Sequence, residues 1–334
     1  MKKFYKGVIA CFLFCGVLLG ALGFTGCTSE KDSNGKIKIL CTVFPAYDWV
    51  SNVVGDSETV ELSLLVENGT DLHSFQPSFA DMARIKDSDV VVYVGGESDA
   101  WVAESIETDS VAVELSKVDG VTLYEVSADS LVKAHEHEED AEGHEAHDHS
   151  SAFDEHIWLS VKNAIAATRE LCDIICELDS ENSEKYEKNT EAYVESLEAL
   201  DGRLSSLSER ISEPLIFADR FPFVYMLEDY EIDYFAAFEG CSAVEADADF
   251  DTTIKLAQRL DEVGGKYLFV TESPIEKDLA DSVIAQTQSK NAIVIALDSM
   301  QSITRSDIDG GASYTSVMDK NVSVLEKIFK VTED

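Results

Sequence analysis

The sequence has 334 residues and a strong excess of acidic side chains, with 65 Asp and Glu against 26 Lys and Arg and a formal net charge of −39. Such a surface repels a phosphate backbone, which excludes nucleic acid as a partner, and it raises the local concentration of cations. The length suffices for two domains with ordinary hydrophobic cores. The cysteines beyond residue 27 are too few and too irregularly spaced for a disulfide framework.

The N-terminus has the pattern of a bacterial lipoprotein signal peptide. Lysines within the first six residues precede an apolar run from Val8 to Phe24, and small residues then lead to Cys27. We predict that residues 1–26 are removed, that Cys27 is lipidated, and that the protein faces outward from the cell membrane without spanning it. The alternative is an uncleaved transmembrane anchor.

Predicted strands and helices alternate after a short polar tether. Apolar runs indicate strands at Ile37–Phe44, Val60–Val66 and Val90–Val94. Helical segments are predicted between them at Ala46–Val54 and Ser78–Ile85. This alternation is typical of a parallel α/β sheet.

A segment at 135–149 is rich in histidine and carboxylates. It contains five of the seven histidines of the chain, which are His135, His137, His144, His147 and His149. Without large apolar side chains it cannot bury a core. Imidazole together with carboxylate favours a late first-row metal, zinc above all. Because no fixed ligand spacing is present, we interpret the segment as a metal-capture loop near a site; the alternative is a solvated acidic loop with incidental histidines.

Two helical patterns follow this loop, at Ile157–Leu178 and Glu181–Ile211. The second has one apolar stripe, formed by Tyr186, Tyr193, Leu197, Leu200, Leu204, Leu207 and Ile211. A helix of this length spans about 45 Å, which is more than one small domain needs. It is therefore predicted to join two lobes.

The second half repeats the α/β pattern. Strands are predicted at Pro214–Ala218, Tyr234–Phe238, Tyr267–Thr271 and Ile293–Leu297. Helices are predicted at Phe223–Asp229, Phe250–Val263, Ile275–Thr287 and Tyr314–Lys330. Since α/β sheets bind ligands at the carboxyl ends of their strands, the cleft between the two lobes is the expected site.

Two histidines lie outside the capture loop, and both have acidic neighbours. His73 follows a predicted strand, and His156 stands at the start of a predicted helix. A ligating histidine commonly donates its second ring proton to a carboxylate or a backbone carbonyl, which favours both as metal ligands. The alternative is that each is a surface or core histidine with satisfied hydrogen bonds.

At this point the chain resembles the substrate-binding lipoproteins of zinc and manganese ABC transporters. The resemblance rests on an ordered set of motifs: Thr70-Asp-Leu-His73 with Phe75-Gln-Pro77, Asp87–Gly95 leading to Trp101, Asp154-Glu-His-Ile-Trp158, the capture loop, and Tyr314 with Asn321–Leu325. It covers nearly the whole mature chain. It implies two Rossmann-like α/β lobes joined by a single long backbone helix, with little hinge motion.

The resemblance also implies a ligand set. His73 and His156 match two of the family's metal ligands, and Asp298 matches a ligand after the last strand, although it could instead be a helix N-cap or turn residue. The remaining ligand position holds Arg220, whose guanidinium is never deprotonated and cannot coordinate a cation. Arg220 is instead expected to pair with a carboxylate at the site and hold the C-terminal lobe.

The third ligand therefore stays open. We favour the adjacent Asp219, with Glu239, Cys241 or a water as alternatives. A carboxylate would tolerate Mn²⁺ as well as Zn²⁺, whereas Cys241 would make the site softer and more selective for zinc. Glu272 is expected to lie behind the ligands.

The predicted organisation divides the chain into consecutive parts: a signal peptide at 1–26, a lipid-anchored tether at 27–36, an N-terminal lobe at 37–180 that includes the capture loop, a linking helix at 181–212, and a C-terminal lobe at 213–334. The resemblance implies a non-enzymatic, monomeric receptor anchored through Cys27. It would bind Zn²⁺, with Mn²⁺ as the second candidate, and deliver it to an ABC permease and its ATPase.

Two other classes of function fit parts of the sequence. A surface adhesin with a structural metal is compatible with the lipid anchor. A secreted metallohydrolase would need an open coordination position and a general base, and the sequence has no His-Glu-x-x-His motif. The receptor is therefore the preferred interpretation.

Overall fold

A computed structural model of the chain describes residues 35–125, 153–238, 250–272 and 278–330. The predicted signal peptide, Cys27, the capture loop at 135–149, Glu239 and Cys241 lie outside the described residues. None of the helices in the described ranges is long and apolar enough to cross a bilayer.

Lobe 1 is built on a parallel sheet with strand order β2-β1-β3-β4. Its strands are β1 (Ile37–Cys41), β2 (Val60–Leu64), β3 (Val90–Tyr93) and β4 (Val111–Glu114). Its helices are α1 (Phe44–Val54), α2 (Phe79–Lys86) and α3 (Ala100–Ala103). In this doubly wound arrangement the loops after β2 and β3 both start at the carboxyl ends of the parallel strands, on the same side of the lobe.

Two helices then form a hairpin: α4 (Val161–Leu178) and α5 (Ser183–Ser208). The α5 helix has 26 residues and is about 39 Å long. Its predicted stripe is buried from Tyr186 to Leu207, whereas Ile211 lies beyond the helix end.

Lobe 2 repeats the topology of lobe 1, with parallel strands in the order β6-β5-β7-β8. The strands are β5 (Leu215–Phe217), β6 (Tyr234–Ala236), β7 (Tyr267–Thr271) and β8 (Ile293–Leu297). The helices are α6 (Val224–Glu228), α7 (Phe250–Glu262), α8 (Asp278–Gln286), α9 (Arg305–Asp309) and α10 (Tyr314–Ile328).

Alternating side chains on the strands divide the core into layers. In β3, Val90 and Val92 join the large core cluster, while Val91 and Tyr93 join a smaller one on the opposite face. The large cluster runs from lobe 1 through α5 to the inner face of lobe 2. The central strand β3 is therefore covered on both faces, which explains why it reads as a continuous apolar run.

The long helix is attached to elements on both of its sides. Tyr193 donates a hydrogen bond to Asp48 Oδ2 on α1 at 2.9 Å, and Arg203 donates to Glu326 Oε2 on α10 at 2.8 Å. The prediction of two α/β lobes joined by one long helix is confirmed.

Several predicted boundaries were wrong. The first strand ends at Cys41 and not at Phe44, because Pro45 lies in the first turn of α1 and fixes a helical φ there. The helix predicted from Ile157 begins with a separate 3-10 turn, after which the Ser160 side chain caps α4. The short elements β4, α3 and α9 were not predicted.

Candidate metal centre

His73 lies in the loop after β2, on a short 3-10 turn spanning Leu72–Ser74. Asp71 begins this turn, and its Oδ1 accepts the backbone N–H of His73 at 3.0 Å. Gly69 has a φ of 69°, and a Cβ at this position would lie 2.8 Å from the carbonyl oxygen of Ser302. The absence of a side chain at Gly69 thus lets the loop that carries His73 pack against the loop after β8.

His156 is buried just before the 3-10 turn that leads into α4. Asp154 Oδ1 accepts its backbone N–H at 2.9 Å and faces its ring Nδ1 at 2.7 Å. The Trp158 ring packs edge-on, with centroids 5.2 Å apart. Because an ionised carboxylate only accepts hydrogen bonds, the ring proton of His156 is held on Nδ1 and the lone pair on Nε2.

The two imidazoles face each other through their Nε2 atoms, which lie 3.2 Å apart. Two nitrogens bound at about 2.05 Å to one tetrahedral Zn²⁺ would be about 3.3 Å apart. The spacing of His73 and His156 therefore fits two ligands of one ion. For both lone pairs to point at that ion, His73 must carry its own proton on Nδ1.

The surroundings of His73 Nδ1 favour a proton there. Ser98 Oγ lies 2.7 Å from Nδ1, and Glu155 Oε2 lies 3.3 Å from it. Glu155 is buried, its Oε1 accepts the Ser98 N–H at 2.7 Å, and its Oε2 has no hydrogen-bond partner among the described residues. A Cβ on Gly96 would lie 2.3 Å from Glu155 Oε1, so a glycine at this position makes room for the carboxylate.

Burial lowers the pKa of His73 below its ordinary value of 6.5, and the neighbouring His156 lowers it further. Nearby carboxylates, those of Asp71, Glu155 and Asp154, act in the opposite direction without cancelling the effect. The imidazole of His73 is therefore neutral at neutral pH. Neutral imidazole is the form that binds a metal.

Gln301 is a further polar residue at this point, and it was not predicted. It follows β8, and its amide nitrogen lies 2.6 Å from His156 Nε2. Rotation of the amide by half a turn would place its oxygen at the same position. Gln301 also lines a small recess together with the apolar side chains of Trp158, Met300 and Ile303.

Asp298 and Glu272 lie on the same side of the cleft but make other contacts. Asp298 Oδ1 accepts the backbone N–H of Met300 at 2.8 Å, as a turn residue does. Glu272 accepts the backbone N–H and the hydroxyl of Ser299, both at 2.8 Å. Burial raises the pKa of both carboxyl groups. These contacts fix the loop that carries Gln301.

Asp219 and Arg220 follow β5. Asp219 accepts the backbone N–H of Arg220 at 2.8 Å and that of Thr271 at 3.1 Å, so both its oxygens are engaged within lobe 2. Arg220 Nη1 reaches across the cleft to Asp71 Oδ2 at 2.8 Å. The guanidinium thus contacts the loop that carries His73.

The structure brings His73 and His156 together, but not with Asp298 or Asp219. In the part of the chain that the structure describes, no three side chains of His, Cys, Asp or Glu are grouped as metal ligands would be. Gln301 and Ser98 were missed although both follow strand ends, β8 and β3, where a parallel sheet binds its ligands. Their position in these loops was the available signal.

Comparison with known proteins identifies the family. Residues 39–328 match the family described as zinc-uptake complex component A, periplasmic. The chain belongs to this family. The description of the family names a component of a zinc-uptake complex.

Relatives of this family member are found among curated proteins. The chain is 30% identical over 312 residues to the zinc-binding lipoprotein AdcA of Streptococcus pneumoniae, a match that covers 92% of this chain and 59% of AdcA. It is 27% identical to the high-affinity zinc uptake system protein ZnuA of Bacillus subtilis over 322 residues, covering 96% of this chain and 95% of ZnuA. The chain thus spans less than two thirds of AdcA but nearly all of ZnuA.

Solved structures share the fold. Zn(II)-bound AdcA of Streptococcus pneumoniae superposes with a TM-score of 0.67 at 24% identity, covering 89% of this chain and 58% of that one. The periplasmic zinc-binding protein TroA of Treponema pallidum gives a TM-score of 0.67 at 17% identity, covering 88% and 99%. At these identities the likeness establishes the two-lobed fold.

Proposed function

We propose that this protein is an extracytoplasmic receptor that binds Zn²⁺ between its two lobes and delivers it to a membrane permease. The observation that carries the proposal is the pair of Nε2 atoms of His73 and His156, 3.2 Å apart. Each ring has a polar partner at Nδ1, as metal-binding histidines have in other proteins: Asp154 for His156, and Ser98 for His73 with the Glu155 carboxylate 3.3 Å away. Imidazole nitrogen favours Zn²⁺ over Mn²⁺, which remains the second candidate.

The proposed ligands are His73, His156 and the amide oxygen of Gln301, with water to complete a tetrahedron. Gln301 would present its oxygen at this point after rotation of its amide. Both oxygens of Asp219 accept backbone N–H groups, and releasing buried donors costs about 1–3 kcal/mol each, which disfavours Asp219. Asp298, the predicted ligand from the same loop, accepts the Met300 N–H through Oδ1 alone, so its Oδ2 is the alternative donor to Gln301.

Names of the relatives support the substrate. AdcA is named as a zinc-binding lipoprotein, and ZnuA is named as part of a high-affinity zinc uptake system. We infer the remaining parts of the system from this family: a permease with its ATPase as partners, a lipid anchor at Cys27 and a monomeric receptor. The segment at 135–149 is proposed to collect metal and feed the cleft.

Titration of metal-free protein, residues 28–334, with Zn²⁺ against a chromophoric chelator tests the proposal. The wild type should bind one tight equivalent. His73→Ala and His156→Ala should each weaken it by more than about tenfold, since loss of a partner behind a ligand alone costs this much. His144→Ala, which removes the same side chain from the capture loop, is the matched control and should keep the tight equivalent. Wild-type affinity in both cleft variants would exclude the assignment.

A further inference from the structure

We infer that Arg220 and Asp71 form a latch between the two lobes, which positions His73 and slows the release of metal. The inference rests on the proposed receptor function, which it deepens by assigning a role to the residue at the position where the family resemblance implies a ligand. Arg220 is a positioning residue, because it acts on the site through Asp71.

Arg220 is fixed firmly on lobe 2. Its backbone N–H donates to Asp219 Oδ1 at 2.8 Å, and its carbonyl accepts the Thr271 hydroxyl at 3.0 Å. Asp219 Oδ2 in turn accepts the Thr271 N–H at 3.1 Å. These bonds join the loop after β5 to the end of β7. The base of the Arg220 side chain therefore moves with the lobe 2 sheet.

Asp71 connects this cation to His73. Its Oδ2 receives the Arg220 guanidinium at 2.8 Å, while its Oδ1 holds the backbone N–H of His73 at 3.0 Å. The side chains of Arg220 and Asp71 are 29% and 17% exposed, so the pair is only partly screened by water. One carboxylate thus transmits the position of lobe 2 to the backbone of a proposed ligand.

A positioning role and a purely electrostatic role of the Arg220–Asp71 pair predict different effects of substitution on zinc binding. If the pair acts as a latch, both partners are needed to hold His73. Removing Arg220 and removing the charge of Asp71 should then both make the release of Zn²⁺ faster. If the pair only tuned the electrostatic potential, losing the cation would strengthen the binding of a dication and losing the anion would weaken it. The two roles are therefore distinguished by whether the two single substitutions change zinc binding in the same direction or in opposite directions.

The test is the rate of Zn²⁺ release into excess chelator, measured by stopped flow on Arg220→Met, Asp71→Asn and the double variant. Asparagine keeps the Oδ1 acceptor for the His73 N–H and removes the charge. We expect each single variant to release Zn²⁺ about tenfold faster and the double variant to be no faster than either single one, since residues that act as a unit are not additive. Opposite shifts in the two single variants, additive shifts, or unchanged rates would overturn the latch.

One further measurement and one control variant keep the latch separate from the receptor function. Amide hydrogen exchange of residues 68–75 in metal-free protein should be faster in both single variants, and unchanged exchange would also overturn the latch. If wild-type protein bound no Zn²⁺, the receptor proposal would fail while the exchange result would still decide the latch. Arg169→Met removes a cation paired with Glu198 at 3.2 Å on the exposed surface of α4 and α5, and it should leave both readouts unchanged.

Discussion

Replacing Gly96 by alanine is expected to displace His73 without touching it. A Cβ at position 96 would lie 2.3 Å from Oε1 and 2.4 Å from Cγ of Glu155, which is closer than unbonded atoms approach. Glu155 must therefore move. It would lose the Ser98 N–H, now at 2.7 Å, and its 3.3 Å contact with His73 Nδ1.

The size of the effect follows from what Glu155 loses. A hydrogen bond to a charged group contributes about 1.5–3 kcal/mol, and overpacking of a closely packed site costs about 1–3 kcal/mol. Since the carboxylate can relax partly toward solvent, we expect a loss of about 2 kcal/mol in the free energy of unfolding. This corresponds to a Tm lower by roughly 4 °C. Zinc affinity should fall about tenfold, because His73 loses a partner that orients its ring.

Thermal unfolding and zinc titration of four variants test this reasoning. In Glu155→Ala the clashing atoms are absent. Adding Gly96→Ala to this variant should therefore lower the free energy of unfolding by less than about 0.5 kcal/mol. Gly202→Ala is the matched control, because a Cβ on Gly202 in α5 would meet nothing within 4 Å. The free energy of unfolding of Gly202→Ala should equal that of the wild type or exceed it by up to about 1 kcal/mol. A Gly96→Ala protein as stable as the wild type, or a cost that persists without Glu155, would refute the account.

Two further predictions concern the attachment of α5. Burial raises the pKa of Asp48 from 3.8 to about 6, so the native state binds a proton more tightly than the unfolded chain, and the free energy of unfolding falls as pH rises between these values. Urea unfolding should show a fall that is about 2–3 kcal/mol larger in the wild type than in Asp48→Asn, in which other buried carboxyl groups such as Asp99 still contribute; identical pH profiles would contradict this. Arg203→Met should lower the free energy of unfolding by about 1 kcal/mol, because it removes the bonds to Glu326 and Ser323 on α10 from a side chain about one third exposed. Thermal unfolding of Arg203→Met, with Arg169→Met as the control variant, measures this loss of stability. Equal Tm values for the two variants would rule the prediction out.

The parts of the fold that were predictable are those with a strong local pattern. The α5 stripe and the apolar β3 strand can be read directly from residue spacing. The β4 strand could not be, because it is a four-residue edge strand, Val-Ala-Val-Glu, in which only Val113 is buried. Its existence depends on pairing with β3, which no local pattern contains.

The site was predictable to the extent that its residues stand in recognisable motifs. His73 and His156 were selected from such motifs, and their side chains meet in the structure. Asp298 was selected in the same way, but its Oδ1 bonds to the Met300 N–H, and Met300 has a φ of 65°. A short acidic side chain readily bonds to its own loop, so the motif alone does not show how the Asp298 carboxylate is engaged. The proximity of Gln301 to His156 appears only in the folded loop.

The charges around the proposed site are placed behind the donor atoms and not on them. The proposed donor atoms are imidazole nitrogens and the Gln301 amide oxygen, Asp154 and Glu155 stand behind the rings, and Asp71 is paired with Arg220. A carboxylate about 6 Å from a dication attracts it about a third as strongly as one in contact at about 2 Å. Binding would then depend mainly on bringing neutral donors from both sides of the cleft to one point. A small separation of the lobes would remove Gln301 and the Arg220 contact together, so metal could leave without protonation of a carboxylate ligand.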